Sequence, residues 1–204
     1  MVTEMKPLIT VSRQFGSGGR ELGRRLAEDL GIEYYDREII KAISERTELS
    51  ENYVKQIVDR TPHSLYPITV GQTFSYTDQY EMRQIMAVFT AQSDIIKELA
   101  AKSPCLIVGR CADYILRDEK PLRLFVYSSM ESRVARCFAR AEEDEKLTEK
   151  QMIKHIKKVD RERARYYNYY TGQTWGDMQY YDLCINTTNA DIKALVSSVS
   201  NLFK

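Results

Sequence analysis

A glycine-rich segment near the start of the sequence most constrains the fold of this chain. Residues 8–12 are an apolar run of strand length, and the segment Gly-Ser-Gly-Gly at residues 16–19 follows closely. Apolar residues then recur at helical spacing, at Leu22, Leu26, Ala27 and Leu30. Gly31 stands where a glycine ends a helix. The sequence therefore predicts a buried strand, a glycine loop and a helix in direct succession.

Apolar runs of strand length alternate with helical patterns along the rest of the chain. Further strands are predicted at residues 32–35, 104–108, 122–127 and 181–185. Helices are predicted to begin at Arg37, to open at residues 109–113, and to cover residues 80–102, 130–141, 148–170 and 190–203. Residues 50–79 predict a loop-rich segment with room for one helix. The alternation predicts one α/β domain with a parallel sheet and helices on both faces.

The composition is that of an ordinary folded protein, and it narrows the range of partners. Apolar residues make up 43% of the chain, charged residues 29%, and the net charge is +1. This charge disfavours nucleic acid and anionic membranes, and no apolar run reaches the ~20 residues that span a bilayer. Residues 1–7 lack the apolar centre of a signal peptide, so we expect a cytoplasmic protein. The cysteines form no C-x-x-C pair, which disfavours zinc and a disulfide framework.

A glycine loop between a strand and a helix has a specific chemical use. Its backbone N–H groups can point inward, and the helix N-terminus adds partial positive charge, so such a loop favours phosphate. A tight turn that needs small residues is the alternative interpretation. The dinucleotide-binding pattern G-x-G-x-x-G does not fit, because Glu21 or Leu22 stands where its third glycine belongs.

Four blocks of sequence span nearly the whole chain. They are residues 8–23 (LITVSRQFGSGGRELG), 34–38 (YYDRE), 105–114 (CLIVGRCADY) and 181–188 (YDLCINTT). Together, and in this order, they resemble the cytidylate kinase-like family. The resemblance implies a P-loop NTPase fold, a three-layer sandwich with a five-stranded parallel sheet. It also implies a monophosphate-binding region at about residues 37–101, a helical lid with flanking helices at about 130–170, small-molecule nucleotide substrates, and ATP with Mg²⁺.

The loop departs from the P-loop pattern G-x-x-x-x-G-K-[ST], in which lysine reaches the β- and γ-phosphates and the hydroxyl binds Mg²⁺. With Gly18 as the second glycine, Arg13 falls at the first glycine, Gly19 at the lysine and Arg20 at the hydroxyl. Val108 stands where cytidylate kinases have an acidic residue, and the sequence identifies no ligands for Mg²⁺. Two functions stay open. One is ATP-dependent phosphoryl transfer to CMP, dCMP or another small acceptor; the other is nucleotide binding without efficient turnover.

Arginines are suited to neutralising charge on a transferring phosphoryl group. The predicted cofactor-binding residues are Arg13, Gly16, Ser17, Gly18, Gly19 and Arg20. Arg110 follows a buried strand at the sheet edge where ligands bind, and the resemblance assigns it to the nucleoside monophosphate. An ion pair with Asp113 or Asp118 is the alternative for Arg110.

The predicted late helix carries Arg163 in the middle of an apolar face. That face comprises Met152, Ile156, Val159, Tyr166 and Tyr170. An arginine there needs an ion pair or a ligand, so Arg163 is the first catalytic candidate. The resemblance to the family's arginine-rich segment adds Arg161 as a catalytic residue and Arg165 as a substrate ligand. Arg20 is a further catalytic candidate because, like Arg13, it flanks the glycine loop, and exposure to solvent is the alternative for both. A solvated helix face is the alternative for Arg161 and Arg165.

Asp36 follows the second predicted strand, where related kinases have an aspartate near the acceptor. It is predicted to bind the substrate by orienting the acceptor, or to hold Mg²⁺ through water, and also to cap the next helix.

Three further segments carry predictions about packing, ion pairs and RNA binding. Tyr166, Tyr167, Tyr169, Tyr170 and Trp175 indicate either tertiary packing or base stacking. Arg133, Arg136 and Arg140 share a helix face and are predicted to pair with the acidic run at residues 142–145. RNA binding by residues 154–175 is disfavoured by the near-neutral charge.

Overall fold

In the described part of the chain, five parallel strands form one sheet in the order β2-β3-β1-β4-β5. The computed structural model describes residues 7–59, 76–140 and 147–203. The strands are β1 (Leu8–Arg13), β2 (Glu33–Tyr35), β3 (Cys105–Val108), β4 (Leu122–Tyr127) and β5 (Leu183–Asn186). β1 pairs with β3 on one side and with β4 on the other, so it runs through the middle of the sheet.

Each of these strands is followed by at least one helix. The helices are α1 (Gly19–Leu30), α2 (Glu38–Thr47), α3 (Glu51–Asp59), α4 (Tyr76–Lys102), α5 (Ala112–Ile115), α6 (Met130–Phe138), α7 (Glu149–Thr171) and α8 (Ile192–Ser200). Short 3₁₀ turns lie at Arg117–Glu119, Met178–Tyr180 and Asn201–Phe203. A capping box between Thr148 and Gln151 begins α7, and Gly172 ends it in the left-handed conformation.

Apolar side chains fill a core on each face of the sheet, because successive residues of a strand point to opposite faces. Leu106 and Val108 of β3 belong to the core that includes α1 and α8. Cys105 and Ile107 of the same strand belong to the core that includes α2 to α5 and part of α7. The three layers confirm the predicted α/β class.

The predicted elements are present, with shifts at their ends. The segment at residues 50–79 contains α3, and α4 begins at Tyr76, earlier than predicted. Gly31 ends α1 with a φ of 63°, as predicted. The prediction that Asp36 caps α2 is wrong: the cap position is Arg37, without a side-chain hydrogen bond. Asp36 instead binds Arg20, which occupies the carboxylate that a cap would need.

Several sequence predictions concern residues outside this description. Residues 60–75 and the acidic run at 142–145 lie outside the described residues. The division into a monophosphate-binding region at 37–101 and a lid at about 130–170 stays a prediction. Within the residues described, no helix has both the length and the apolar character needed to cross a bilayer.

Candidate functional site

The loop between β1 and α1 forms a backbone cradle. Gly16 and Gly18 are left-handed, with φ of 75° and 81°. A Cβ on Gly16 would stand 2.9 Å from the carbonyl oxygen of Arg133, so no side chain fits there. Inside the loop, the Ser17 hydroxyl donates to the Gln14 carbonyl at 2.9 Å. The glycines and this internal hydrogen bond thus hold the loop in a curved shape.

Helices α6 and α7 hold the backbone of this loop. The Phe15 N–H donates to the Asp160 carboxylate at 2.8 Å, and the Phe15 carbonyl accepts from Nε of Arg133 at 2.7 Å. Arg133 and Asp160 also form an ion pair with each other. Nearby, the Arg13 carbonyl accepts from Nη1 of Arg163 at 3.0 Å. We call Arg133, Asp160 and Arg163, with these backbone contacts, the loop clasp.

The opposite side of the loop is held by the segment after β5. The Thr187 hydroxyl donates to the Ser17 carbonyl at 2.6 Å. Arg136 of α6 donates to the Thr187 carbonyl and, through Nη1, to the Ser128 hydroxyl at 3.2 Å. Burial, and to a smaller extent the charge of Arg140, lowers the pKa of Arg136. The loop is therefore fixed from both sides.

Arginines converge on Asp36 beside the loop. Asp36 is 5% exposed, and its carboxylate lies 2.5 Å from Nε of Arg20 and 3.8 Å from Nη2 of Arg13. Burial lowers the pKa of Arg13, the positive charge of Arg163 lowers it further, and Asp36 opposes both. The charges of Arg110 and Arg20 lower it as well. An anion bound here would reduce the repulsion among these guanidinium groups.

The turn after β3 has an unusual backbone. Gly109, Arg110 and Cys111 have φ of 73°, 60° and 54°, in the left-handed region that non-glycine residues rarely adopt. The fully buried side chain of Gln92 donates to the Arg110 carbonyl at 3.0 Å. Tyr166 donates in turn to Gln92 at 3.3 Å. A buried chain of hydrogen bonds therefore holds the turn that carries Arg110.

Aromatic side chains of α7 pack beneath this turn. Asp113 accepts a hydrogen bond from the Tyr167 hydroxyl at 2.6 Å, and burial raises the pKa of Asp113. Tyr166 and Tyr167 are buried in the core, and Tyr170 stacks on Phe89 with ring centroids 3.9 Å apart. The packing interpretation is confirmed for these three tyrosines.

Two clefts meet at the loop. The first, the loop cleft, has a volume of about 390 Å³ and lies between the glycine loop, α6 and α7. The second, the turn cleft, has a volume of about 630 Å³ and is lined by the turn after β3, by α3 and by α7. The residues that line both are Arg13, Phe15, Arg20, His155 and Arg163. Because three of these are arginines, the wall shared by the two clefts is positively charged.

The structure brings most of the predicted site residues to these clefts. Those that line one or both are Arg13, Gly16, Gly18, Gly19, Arg20, Arg110 and Arg163. Ser17 is fully buried within the loop, and Asp36 lies beside the clefts, bound to Arg20. Arg161 and Arg165 are exposed on α7 and line neither cleft as the described residues form them. Their roles stay predictions.

Sequence reasoning missed the contacts of α7 and α6 with the loop. Asp160 lies three residues before Arg163, and therefore on the same helix face, so its place was open to inference. His155 meets the Phe15 ring edge to face at 5.2 Å, and no sequence signal indicated this. Within the described part of the chain, Arg133 pairs with Asp160 and Arg140 with Glu21. Pairing with the acidic run at 142–145 lies outside the description.

The residues present fit the phosphates of a nucleotide better than they fit a metal ion. The glycine cradle and the arginine wall supply donors and positive charge, which phosphate oxygens need. Among the described residues, no three His, Cys, Asp or Glu side chains are grouped closely enough to hold a metal ion. Asp36, predicted to reach Mg²⁺ through water, is bound by Arg20. The described side chains therefore do not form a Mg²⁺ site by themselves.

A parallel five-stranded sheet, with a glycine loop leading from its central strand into a helix, is the fold of the P-loop kinases. The sequence profile of the cytidylate kinase-like family matches residues 8–189. The chain belongs to this family. No curated protein sequence is similar enough to count as a match.

Solved structures share the fold. An uncharacterized protein from Eubacterium ventriosum ATCC 27560 is 24% identical, with a TM-score of 0.67 over 97% of this chain and 98% of that one. Shikimate kinase from Bacteroides thetaiotaomicron is 14% identical, with a TM-score of 0.55 over 95% and 96%. Shikimate kinase from Acinetobacter baumannii, solved with shikimate, is 14% identical, with a TM-score of 0.52 over 97% and 94%. At these identities the likeness concerns the fold alone.

Proposed function

We propose that this protein transfers a phosphoryl group from ATP to a nucleoside monophosphate, with CMP and dCMP as the first acceptors to test. The observation that carries the proposal is the wall between the two clefts. Arg13, Arg20 and Arg163 lie on it, directly beside the glycine loop. A group passing from one cleft to the other would cross this wall.

Each part of the site then has a task in the reaction. Backbone N–H groups of the loop other than that of Phe15, which donates to Asp160, and the N-terminus of α1 bind the phosphates of ATP in the loop cleft. Arg110 binds the phosphate of the acceptor in the turn cleft. Arg13 and Arg163 stabilise the charge that spreads over the equatorial oxygens of the transferring group. These groups are fixed by the protein in advance, so little reorganisation is needed as the charge develops.

Nucleotide binding without efficient turnover is the second candidate. Two observations favour it. Gly19 replaces the lysine of an ordinary P-loop, and Asp36 is engaged by Arg20 at 2.5 Å in the structure. A carboxylate held in this way competes with phosphate for the same guanidinium group.

The two candidates separate in one set of measurements on the wild-type protein. ATP binding is measured by calorimetry, and ADP release by a coupled assay with CMP, dCMP, UMP, AMP or shikimate in the presence of Mg²⁺. We expect ATP to bind and CMP or dCMP to stimulate ADP release most. Stimulation by a different acceptor would support the kinase activity but assign it to that acceptor as substrate. ATP binding with no stimulation would establish the binder, and absence of ATP binding would overturn both.

A further inference from the structure

Arg13 and Gly19 are sterically linked across the base of the loop. A Cβ placed on Gly19 would stand 2.6 Å from Cβ of Arg13 and 3.0 Å from Cβ of Val126. The first separation is shorter than real Cβ contacts allow, and both neighbours are Cβ atoms bonded directly to the backbone, so neither can swing away by a side-chain rotation. Position 19 therefore accepts no side chain while Arg13 is present, least of all the lysine that the P-loop pattern places there.

The other end of the Arg13 side chain meets a second glycine. A Cβ on Gly109 would stand only 2.0 Å from Nη1 of Arg13. Gly19, after β1, thus leaves room for Cβ of Arg13, and the Arg13 guanidinium lies where a Cβ on Gly109, after β3, would stand. The Arg13 side chain is 13% exposed, and it emerges on the wall shared by the loop cleft and the turn cleft.

We infer that Arg13 supplies the positive charge that a lysine at position 19 supplies in an ordinary P-loop, and that it acts on the γ-phosphoryl group of ATP. This inference rests on the proposed function. In the ordinary loop the cation follows the second glycine, whereas here it stands at the position of the first glycine. Its guanidinium lies beside Gly109, which lines the turn cleft, so we expect it to reach the end of the triphosphate that faces the acceptor.

The surroundings of Arg13 are consistent with a role in binding an anion. The Asp36 carboxylate is 3.8 Å from Nη2, which is a loose ion pair, and Asp36 is held more tightly by Arg20. Burial and the charge of Arg163 lower the pKa of Arg13. Replacing Arg13 by a neutral group of similar size should therefore not destabilise the folded protein, whereas removing a structural ion pair would.

The first test compares ATP with ADP on Arg13→Gln. We expect ATP to bind roughly tenfold to a hundredfold more weakly, as the loss of a charge-assisted contact predicts, and ADP to bind within about threefold of wild type. The melting temperature should not fall. Arg46→Gln, which removes an exposed arginine paired with Glu98, is the control and should change neither affinity.

The second test moves the charge back to the ordinary position. Gly19→Lys alone should lose ATP binding, because the new Cβ collides with Arg13. Arg13→Gly alone should lose the preference for ATP over ADP. In the double variant Arg13→Gly with Gly19→Lys, the collision with Arg13 is removed, and the approach to Cβ of Val126 at 3.0 Å requires a shift of only a few tenths of an ångström. The cation is restored, so we expect the preference for ATP to return.

The outcomes separate this inference from the proposed function. If wild-type protein binds no ATP, the proposed function itself fails. If wild type binds ATP and Arg13→Gln loses ATP and ADP equally, or neither, only the role of Arg13 is overturned. A lower melting temperature with unchanged selectivity would assign Arg13 to structure. Should Arg13→Gln fail to fold, the double variant decides: a folded double variant without recovery overturns the inference.

Discussion

The loop after β1 and the turn after β3 solve the same geometric problem in different ways. Both leave the same edge of the sheet for a helix, and both use left-handed backbone conformations. The loop uses glycine for this purpose, at Gly16 and Gly18. The turn uses Gly109 once and then forces Arg110 and Cys111 into the same region.

The difference shows where a side chain is excluded and where one is needed. A Cβ in the loop would collide with Arg133, so glycine is required for space as well as for conformation. In the turn, a left-handed non-glycine residue costs on the order of 1 kcal/mol, and the buried Gln92 holds the carbonyl of Arg110 in place. Strain that the fold maintains at a charged residue, in the wall of a cleft, is typical of a functional position.

The largest effect should come from the loop side, at Arg163. The guanidinium of Arg163 donates to the Arg13 carbonyl at 3.0 Å and lines both clefts. Arg163→Lys keeps the positive charge but loses the planar fork of the guanidinium. We expect phosphoryl transfer to fall by roughly 10³–10⁵-fold, as for arginines that act on a transferring phosphoryl group. ATP affinity should stay within a few-fold of wild type in calorimetric titration.

Lys157→Arg is the matched control on the same helix, because Lys157 is exposed. It should leave ADP release unchanged. Normal turnover by a folded Arg163→Lys protein would show that α7 holds the loop without acting on the phosphoryl group.

The next largest effect is expected at Arg110, in the turn after β3. Arg110→Ala should weaken nucleoside monophosphate binding by roughly tenfold to a hundredfold, the loss of ~1.5–3 kcal/mol for a charge-assisted contact to phosphate. ATP binding should be nearly intact, since the glycine loop is untouched. Titration of both ligands on wild type and variant decides this, and equal losses would reassign Arg110 to a structural role.

The smallest expected effects are on the free energy of unfolding, and they test whether the loop after β1 and the turn after β3 differ in backbone strain. Gly16→Ala should lower the free energy of unfolding by about 1–3 kcal/mol, because the new Cβ meets both strain and the Arg133 carbonyl. Arg110→Gly should be more stable than Arg110→Ala by about 1 kcal/mol, since glycine relieves the left-handed strain. Urea denaturation measures both. The same stability for Arg110→Gly and Arg110→Ala would mean that the turn is not strained.

Local patterns were sufficient for most of the fold and for part of the site. The strand, the glycine loop and the helix follow from residues close in sequence, and the apolar face of α7 indicated that Arg163 needs a partner. The structure supplies one in the Arg13 carbonyl and places the Phe15 ring 5.6 Å from the guanidinium. Helix periodicity also described Arg161 and Arg165 as a solvated face, which agrees with their exposure.

The part of the site that the sequence did not predict depends on contacts between residues distant in sequence. Asp160 binds the N–H of Phe15, and Gly109 makes room for Arg13. The spacing of Asp160 to Arg163 indicated the helix face of Asp160, but not the atom that it binds, and the approach of Arg13 to Gly109 leaves no local pattern. Each contact forms only when segments distant in sequence meet at the edge of the sheet. The replacement of lysine by Gly19 was visible in the sequence, but its steric cause was not.

The loop clasp attaches α7 to the glycine loop at a single region near the middle of the helix. The helix has 23 residues and is about 35 Å long, and Asp160 and Arg163 fasten it to the loop near its midpoint. His155 and Tyr166 lie on opposite sides of this attachment. Tyr166 is buried and hydrogen-bonded to Gln92, whereas His155 is exposed, so a ligand that displaces α7 would move its N-terminal half more readily than the half that supports the turn after β3.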